Sequence, residues 1–217
     1  QPINKAQEVL SELLRTASQA GIHMEALTTV VDNPMQEIAR VARLHHCECV
    51  LTGLGEISEQ SQGTPVEWLL GALDADIVVL RARKDWKLHE ARQILVPVAG
   101  RGGHDQLLAR LLGSLTRTGS HTITLLRVLP TRATPWEVNR VKRDLAQLVD
   151  DERRERFEPV VVLSDEPLAT VAERADRSDL LILGVQRLDR RNKLFGGFTR
   201  AIAARTDCPL IVLSRRG

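Results

Sequence analysis

The chain has 217 residues, of which 43% are hydrophobic, 3% aromatic and 27% charged, and its formal net charge is +2. This length and apolar content suffice for one large or two small globular domains. The small net charge and the few aromatic side chains argue against nucleic-acid binding. Three scattered cysteines fit a reducing compartment better than a disulfide framework. No apolar run reaches the roughly 18 residues of a membrane span, and no signal peptide is visible.

Helix and strand patterns alternate along the first part of the chain, up to Leu80. Asn33 and Pro34 form a helix start, because Asn caps the free N–H groups and Pro fits the first turn. A stripe of apolar residues followed by Gly21 predicts an earlier helix. In chain order, the predicted elements are a helix over 4–20, a strand over 26–31, a helix from Pro34, a strand over 49–53, a helix from Thr64-Pro65 to about Leu73 and a strand over 77–80.

The pattern of apolar and polar residues in the rest of the chain predicts five strands separated by four helices. Residues 81–92 precede them as a charged connector in which Trp86 packs on a domain. The patterned segments include strands over 93–98, 122–129, 180–184 and 210–213, and helices over 104–118, from about Pro135 to Arg153, from Glu166-Pro167, and between the last two strands.

An internal repeat relates the two parts of the chain. The helix start at Pro34 recurs at Pro167, and the strand end at Leu80 recurs at Leu213, both with an offset of 133 in residue number. The strand glycine Gly53 recurs at Gly184 with an offset of 131. A nearly constant offset across three landmarks indicates duplication.

The spacing around the last helix carries a family resemblance. Gly184 is followed by two residues, Arg187, nine residues, Gly197 and Phe198. This segment resembles the nucleotide loop of the universal stress protein family, which has Gly, two residues, Gly, nine residues, Gly, then Ser or Thr. Arg187 stands in place of the middle glycine and Phe198 in place of the hydroxyl residue, although Thr199 follows it. The outer glycines therefore match, and half of the ligand contacts are missing.

The resemblance implies an α/β fold with two stress-protein-like subdomains in tandem, each an open parallel sheet with strand order 3-2-1-4-5. We expect a partial first subdomain at 1–83, a linker at 84–92 and a complete second subdomain at 93–217. Counting back by the offset, the first copy lacks its first strand, first helix and second strand, which belong to the middle of the sheet. We therefore expect either roughly forty further residues upstream of Gln1 or another segment that fills the gap. The start at Gln1 rather than Met suggests a piece of something longer.

Two loops are candidate anion sites. In the family an Asp follows the first strand, and the matching position here is Ala99; the next residues, Gly100-Arg101-Gly102-Gly103, could present backbone N–H groups to an anion or form a plain flexible turn. In the second loop, Arg187 and its basic neighbours could bind an anionic ligand or form a solvated charged loop. The full degenerate set is Gly184, Arg187, Gly197, Thr199, Gly100 and Arg101, with Arg190, Arg191 and Lys193 beside it.

No catalytic, metal or cofactor site is predicted. The cluster from His45 to Cys49 has the composition of a metal site, but its five residues are consecutive and no second ligand pair is evident, so a structural role is favoured. There is no Gly-x-Ser-x-Gly elbow and no Ser/His/Asp arrangement. We therefore expect a protein that is not an enzyme.

A second resemblance concerns the segment from Trp86 to Leu112, WKLHEARQILVPVAGRGGHDQLLARLL. It is similar to the C-terminal tail of prokaryotic cation–chloride cotransporters, of the amino acid–polyamine–organocation transporter superfamily. This resemblance implies a cytoplasmic regulatory domain at the membrane, whose partners are the transmembrane part of the same polypeptide and a second copy. Stress-protein folds commonly dimerise through the last strand, so Leu210, Ile211, Val212 and Leu213 are candidate interface residues at an apolar edge. The alternatives are a nucleotide-binding stress protein and the tail of another transporter, such as a sodium/proton antiporter.

Overall fold

The computed structural model describes residues 2–54, 65–98, 105–118, 120–148, 156–185 and 197–214. Helices and strands alternate along these residues. In chain order the elements are α1 (Pro2–Gln19), α2 (Pro34–Leu44), β1 (Cys49–Leu54), α3 (Pro65–Ala72), β2 (Asp76–Arg81), β3 (Gln93–Pro97), α4 (Asp105–Thr118), β4 (Thr122–Leu129), α5 (Pro135–Gln147), β5 (Phe157–Leu163), α6 (Pro167–Ala175), β6 (Leu180–Val185), α7 (Gly197–Arg205) and β7 (Leu210–Ser214). A short 3-10 turn, Leu88–Glu90, lies in the connector. None of the helices described here is long and apolar enough to span a bilayer.

The described strands β1 to β7 belong to one sheet, in the order β1-β2-β7-β6-β3-β4-β5. The β2–β7 pair is antiparallel, and the other pairs in this order are parallel. The expectation of two separate sheets is therefore wrong. Within residues 93–214 the order is β5-β4-β3-β6-β7, which is 3-2-1-4-5 when strands are counted from Gln93. The first part of the chain adds β1 and β2 beyond β7 and continues the same sheet.

The prediction that Leu210–Leu213 forms a free edge is also wrong. This strand, β7, lies between β6 and β2 and is paired with both along its length. Its four apolar residues are between 0% and 6% exposed. The physical reason is that β2 supplies, from within the chain, the hydrogen-bonding neighbour that the sequence analysis assigned to a second copy.

Each face of the sheet carries its own apolar core. Side chains alternate between the faces along a strand, so neighbouring residues contribute to different cores. The first face packs under α2, α3, α6 and α7, through residues such as Ala39, Leu69, Val171 and Ile202. The second face packs under α4 and α5, through Leu107, Leu112, Leu115 and Leu145.

Local sequence patterns placed most elements correctly. The Asn33 side chain accepts a hydrogen bond from the Gln36 N–H at the start of α2, as a capping residue should. The predicted strand over 26–31 is wrong, because the structure assigns no secondary structure there, and Leu27 and Val30 are 61% and 90% exposed. A strand exists only through a hydrogen-bonded neighbour, and no described strand lies beside this segment. The helix predicted from about Pro135 to Arg153 ends at Gln147.

Candidate functional site

The candidate ligand loop joins the end of β6 to the start of α7. Gly184, near the end of β6, pairs with Leu213 of β7 and is exposed. Gly197 is the first residue of α7. The free N–H groups and the dipole of a helix start favour an anion, so this place suits a phosphate in general terms. The two outer glycines therefore lie on the strand and the helix that this connection joins.

The side chains at the start of α7 do not present a hydroxyl group to this end of the sheet. Phe198 is 42% exposed, whereas Thr199 is 5% exposed and belongs to the buried side of the helix. A Cβ added at Gly197 would meet open space, so packing alone does not demand glycine there. Thr199 therefore cannot take over the phosphate contact that a Ser or Thr at position 198 would make.

The other predicted anion ligands lie outside the described residues. This holds for Arg187 and its basic neighbours and for the Gly100-Arg101 loop with Ala99. The structure therefore brings Gly184, Gly197 and Thr199 onto consecutive elements. It does not test whether the arginines reach the same place.

Arg81 was missed as a site residue by the sequence analysis, although its guanidinium makes three hydrogen bonds near α7. Its Nη1 donates to the Ala203 carbonyl at 2.6 Å, and its Nη2 donates to the carbonyls of Thr206 at 2.9 Å and Cys208 at 2.7 Å. Burial lowers the pKa of this guanidinium below its ordinary value. The signal in the sequence is an arginine directly after an apolar strand, a position that can reach the end of a neighbouring helix. Arg81 thus ties the first part of the chain to the C-terminal end of α7.

An open cleft of about 560 Å³ lies at the end of the sheet opposite to the carboxyl end of β6, before the starts of β6 and β7. Its charged lining is mainly acidic, with Arg83 as the basic exception and Trp86 as a wall. One of its carboxylates is already used: Asp179 Oδ2 accepts the N–H groups of Arg92 at 2.7 Å and Gln93 at 2.8 Å. Trp86 was predicted to pack on a domain, and it contacts the second part of the chain, where its Nε1 donates to the Asp179 carbonyl at 3.3 Å. Such a cleft would repel an anionic ligand.

The His45–Cys49 cluster forms the turn between α2 and β1. His45 is the C-cap residue that follows α2, and His46 has a positive φ of 50° in the tight turn after it. Cys47 and Cys49 are free and exposed. Partial desolvation of the Cys49 thiol by its surroundings raises its pKa. Within the described ranges, no group of three or more His, Cys, Asp or Glu side chains is arranged around a common metal position.

Solved structures of other proteins share this arrangement. The chain matches a universal stress protein from Archaeoglobus fulgidus with a TM-score of 0.66 and 16% identity, over 99% of this chain and 77% of that one. The chain described here has a universal stress protein-like fold. It is also similar to the cytoplasmic domain of a prokaryotic cation chloride cotransporter, with a TM-score of 0.61 and 11% identity, over 96% of this chain and 80% of that one.

The stress-protein-like fold is seen in three-dimensional structure and not in sequence. No family model matches the sequence, and no curated protein matches it. Identities of 11% and 16% establish a shared fold and leave ligand, partner and activity open. Both structural matches extend across β1 and β2 as well as the last five strands, since they cover almost the whole chain.

Proposed function

We propose that this chain is a non-catalytic regulatory and dimerisation domain of a cation–chloride cotransporter, attached on the cytoplasmic face of the membrane. Two findings support the proposal. The chain is similar in structure, over 96% of its length, to the cytoplasmic domain of a prokaryotic cation chloride cotransporter. The loop that resembles the nucleotide loop of stress proteins carries Arg187 and Phe198 in place of the expected residues.

The observation that carries the proposal is the start of α7. Phe198 has a large, partly exposed apolar side chain where a hydroxyl group would be needed, and Thr199 is 5% exposed on the buried side of the helix. A phosphate at this helix start would lose a hydrogen bond and meet a phenyl ring. Outer glycines that are retained while the hydroxyl at position 198 is lost are what a scaffold that no longer binds nucleotide would show.

We further propose that the two parts of the chain are tandem copies. The β2–β7 register supports this: Ile77 pairs with Ser214 and Arg81 pairs with Leu210, which is symmetric about the Val79–Val212 pair. By the offset of 133, Ile77 corresponds to Leu210 and Arg81 to Ser214, so exchanging the two parts of the chain reproduces the same register. In this proposal the β2–β7 pair replaces a contact between two separate chains. A homodimer would then use a surface other than β7.

Titration with ATP, followed by isothermal calorimetry, separates the proposed function from the stress-protein alternative. We expect no binding at micromolar ATP. A matched variant, Phe198→Ser, restores the hydroxyl at the position the family uses, and any gain in ATP affinity would come from that group. Micromolar binding by the unaltered chain would overturn the proposal and favour a nucleotide-binding stress protein, for which the higher TM-score to the Archaeoglobus fulgidus protein is the supporting observation.

A second experiment addresses the transporter assignment. The natural gene that encodes this sequence is expressed with a C-terminal tag, and the product is fractionated. We expect the tag in the membrane pellet, released by detergent and resistant to high salt or carbonate. Recovery of the tagged product in the supernatant would contradict the cotransporter assignment.

A further inference from the structure

The outer edge of β1 pairs with no strand among the described residues. Asp76 N–H donates to the Glu48 carbonyl at 2.8 Å, which determines the residues of β1 that face β2. Because alternate residues of a parallel strand point their backbone groups to opposite sides, those of Cys49, Leu51 and Gly53 point away from β2. The sheet begins at β1, so no described strand pairs with these groups.

The two edges of the sheet differ in how they resist strand addition. β5, the opposite edge, carries Glu158 and Pro159, and it packs against α5. Charge and proline on an edge strand discourage pairing with another strand. β1 has the sequence CVLTGL, with neither a charge nor a proline. The edge at β1 is therefore suited to pairing with a further strand.

The second face of the sheet is also incompletely covered at this end. Leu51 is 71% exposed, and beside it lie Val78 and Leu80 of β2, which are half-buried. We call Leu51, Gly53, Val78 and Leu80 the open patch. By the strand offset of 131, Leu51 corresponds to Ile182, which is 0% exposed.

The second part of the chain shows what covers these positions when the cover is present. Ile182 and its neighbours Ile211 and Leu213 lie in the core that α4 completes with Leu107, Leu112 and Leu115, with Leu108 and Leu111 packed against it. There β6, the counterpart of β1, pairs on its outer side with β3. A strand and a leucine-striped helix, β3 and α4, therefore shield the counterpart of the open patch.

The repeat offset also relates the first elements of the chain to α5 and β5. α1 begins at Pro2 and α5 at Pro135, which again gives an offset of 133. The unpaired segment 24–30 corresponds by the same offset to β5. Both α1 and this segment have apolar side chains without cover: Val9 and Leu13 are 51% exposed, and Val30 is 90% exposed. The counterparts of α5 and β5 are thus present, while those of β3, α4 and β4 are not among the described elements.

We propose that β1 and the open patch bind a β-α-β unit of the kind formed by residues 93–129. Its first strand adds parallel to the outer edge of β1, and its helix covers Leu51 with a leucine stripe. Its second strand pairs with residues 24–30, which then become a strand. This proposal rests on the proposed tandem repeat, and it is independent of the nucleotide loop and of the transporter assignment.

A grafted chain tests the proposal. A copy of residues 93–134 is fused directly ahead of Pro2, which reproduces the junction before Pro135. Hydrogen exchange then measures the amides of Cys49, Leu51 and Gly53. We expect exchange at these three amides to slow at least about tenfold, since a hydrogen-bonded strand opens only by local unfolding. The matched control carries the same graft with the counterparts of Leu108, Leu111 and Leu112 changed to Ser, and should give no protection.

Equal exchange with and without the intact graft would overturn the proposal. A dimer of the ungrafted chain with these amides already protected would also overturn it, because the occupant would then be a second copy. Two variants of the ungrafted chain test the patch even where the graft fails to fold. Leu51→Lys should keep the native fold and reduce binding of a hydrophobic dye. Ile182→Lys should unfold the protein. Loss of fold in Leu51→Lys would show that the patch is not open.

Discussion

Val79 of β2 lies directly opposite Val212 of β7, although the two residues belong to different halves of the chain. Both are 1% exposed and belong to the core on the first face of the sheet. The pair is the centre of a symmetric antiparallel register, so each half of the chain contributes the same kind of strand to the contact. The continuity of the seven-stranded sheet depends on this contact.

The first prediction concerns this pair. Val79→Ala and Val212→Ala should each lower the free energy of unfolding by about 2 kcal/mol, since each removes two buried methyl groups and leaves a cavity. The double variant should deviate from additivity by at least about 0.5 kcal/mol, because directly opposed residues share one contact. Urea unfolding of the four proteins measures the cycle. The control pair, Val79→Ala with Leu145→Ala on the other face, should be additive, and coupling of the same size there would refute the interpretation.

The second prediction compares two neighbouring arginines. Arg81→Ala should destabilise the protein by about 2–4 kcal/mol, because three carbonyls near the end of α7 lose a charged donor. Arg83→Ala should cost less than about 0.5 kcal/mol, since Arg83 is 74% exposed and its ion pair with Asp207 is 3.9 Å long. Chemical denaturation checks both values. Similar costs for the two variants would mean that Arg81 does not hold the two parts of the chain together.

The third prediction concerns Cys208. Burial raises the pKa of its thiol to about 12, and its Sγ donates to the Ser178 carbonyl at 3.3 Å. The folded protein therefore holds this proton more tightly than the unfolded chain, whose thiol has an ordinary pKa of 9.0. Stability should fall as pH rises above 9.0 towards about 12, and Cys208→Ala should show a shallower fall. Thermal melts at a series of alkaline pH values measure the two slopes.

Thiol labelling gives an independent check on Cys208. At neutral pH the exposed Cys47 and Cys49 should react with a disulfide reagent in the native protein, whereas Cys208 should react only after unfolding. Rapid reaction of all three thiols under native conditions would contradict the burial of Cys208.

The fourth prediction concerns Asp165, which links the loops after β4 and β5. Hydrogen bonds from the hydroxyl and the N–H of Thr131 hold the pKa of this carboxyl below its ordinary value of 3.8. A lowered folded pKa contributes stability above the unfolded value, and that stability is lost as pH falls through the folded pKa. NMR titration should therefore give an Asp165 midpoint below 3.8, and Thr131→Ala should raise it. An unchanged midpoint in Thr131→Ala would show that the hydroxyl is not the cause.

Local chemistry explains why most elements could be predicted. Thr134 and Glu137 form a reciprocal capping box at the start of α5, and Pro135 occupies its first turn. Such contacts lie within a few residues of each other, so the sequence displays them directly. Gly184 was placed at a strand end by the apolar run before it, and Gly197 was placed by the spacing of the family's loop.

The packing of α7 decided which side chains are exposed at its start, and the glycine spacing did not show this. That Thr199 is buried while Phe198 is exposed depends on how α7 is rotated against the sheet. The sequence showed only that Phe198 occupies the position of the family's hydroxyl residue and that Thr199 follows it. Arg81 is similar, because its three acceptor carbonyls belong to the far end of the chain. The role of either residue follows only from a long-range contact.

The sequence by itself determined which segments become strands and helices in most of the chain. Only the tertiary structure decided which strands become neighbours. Leu210–Leu213 is equally apolar whether its partner is a second chain or β2, and residues 26–31 have strand character with no described strand beside them. Side-chain pattern is a local property, but a strand's place in a sheet is set by hydrogen bonds to residues far away in the chain.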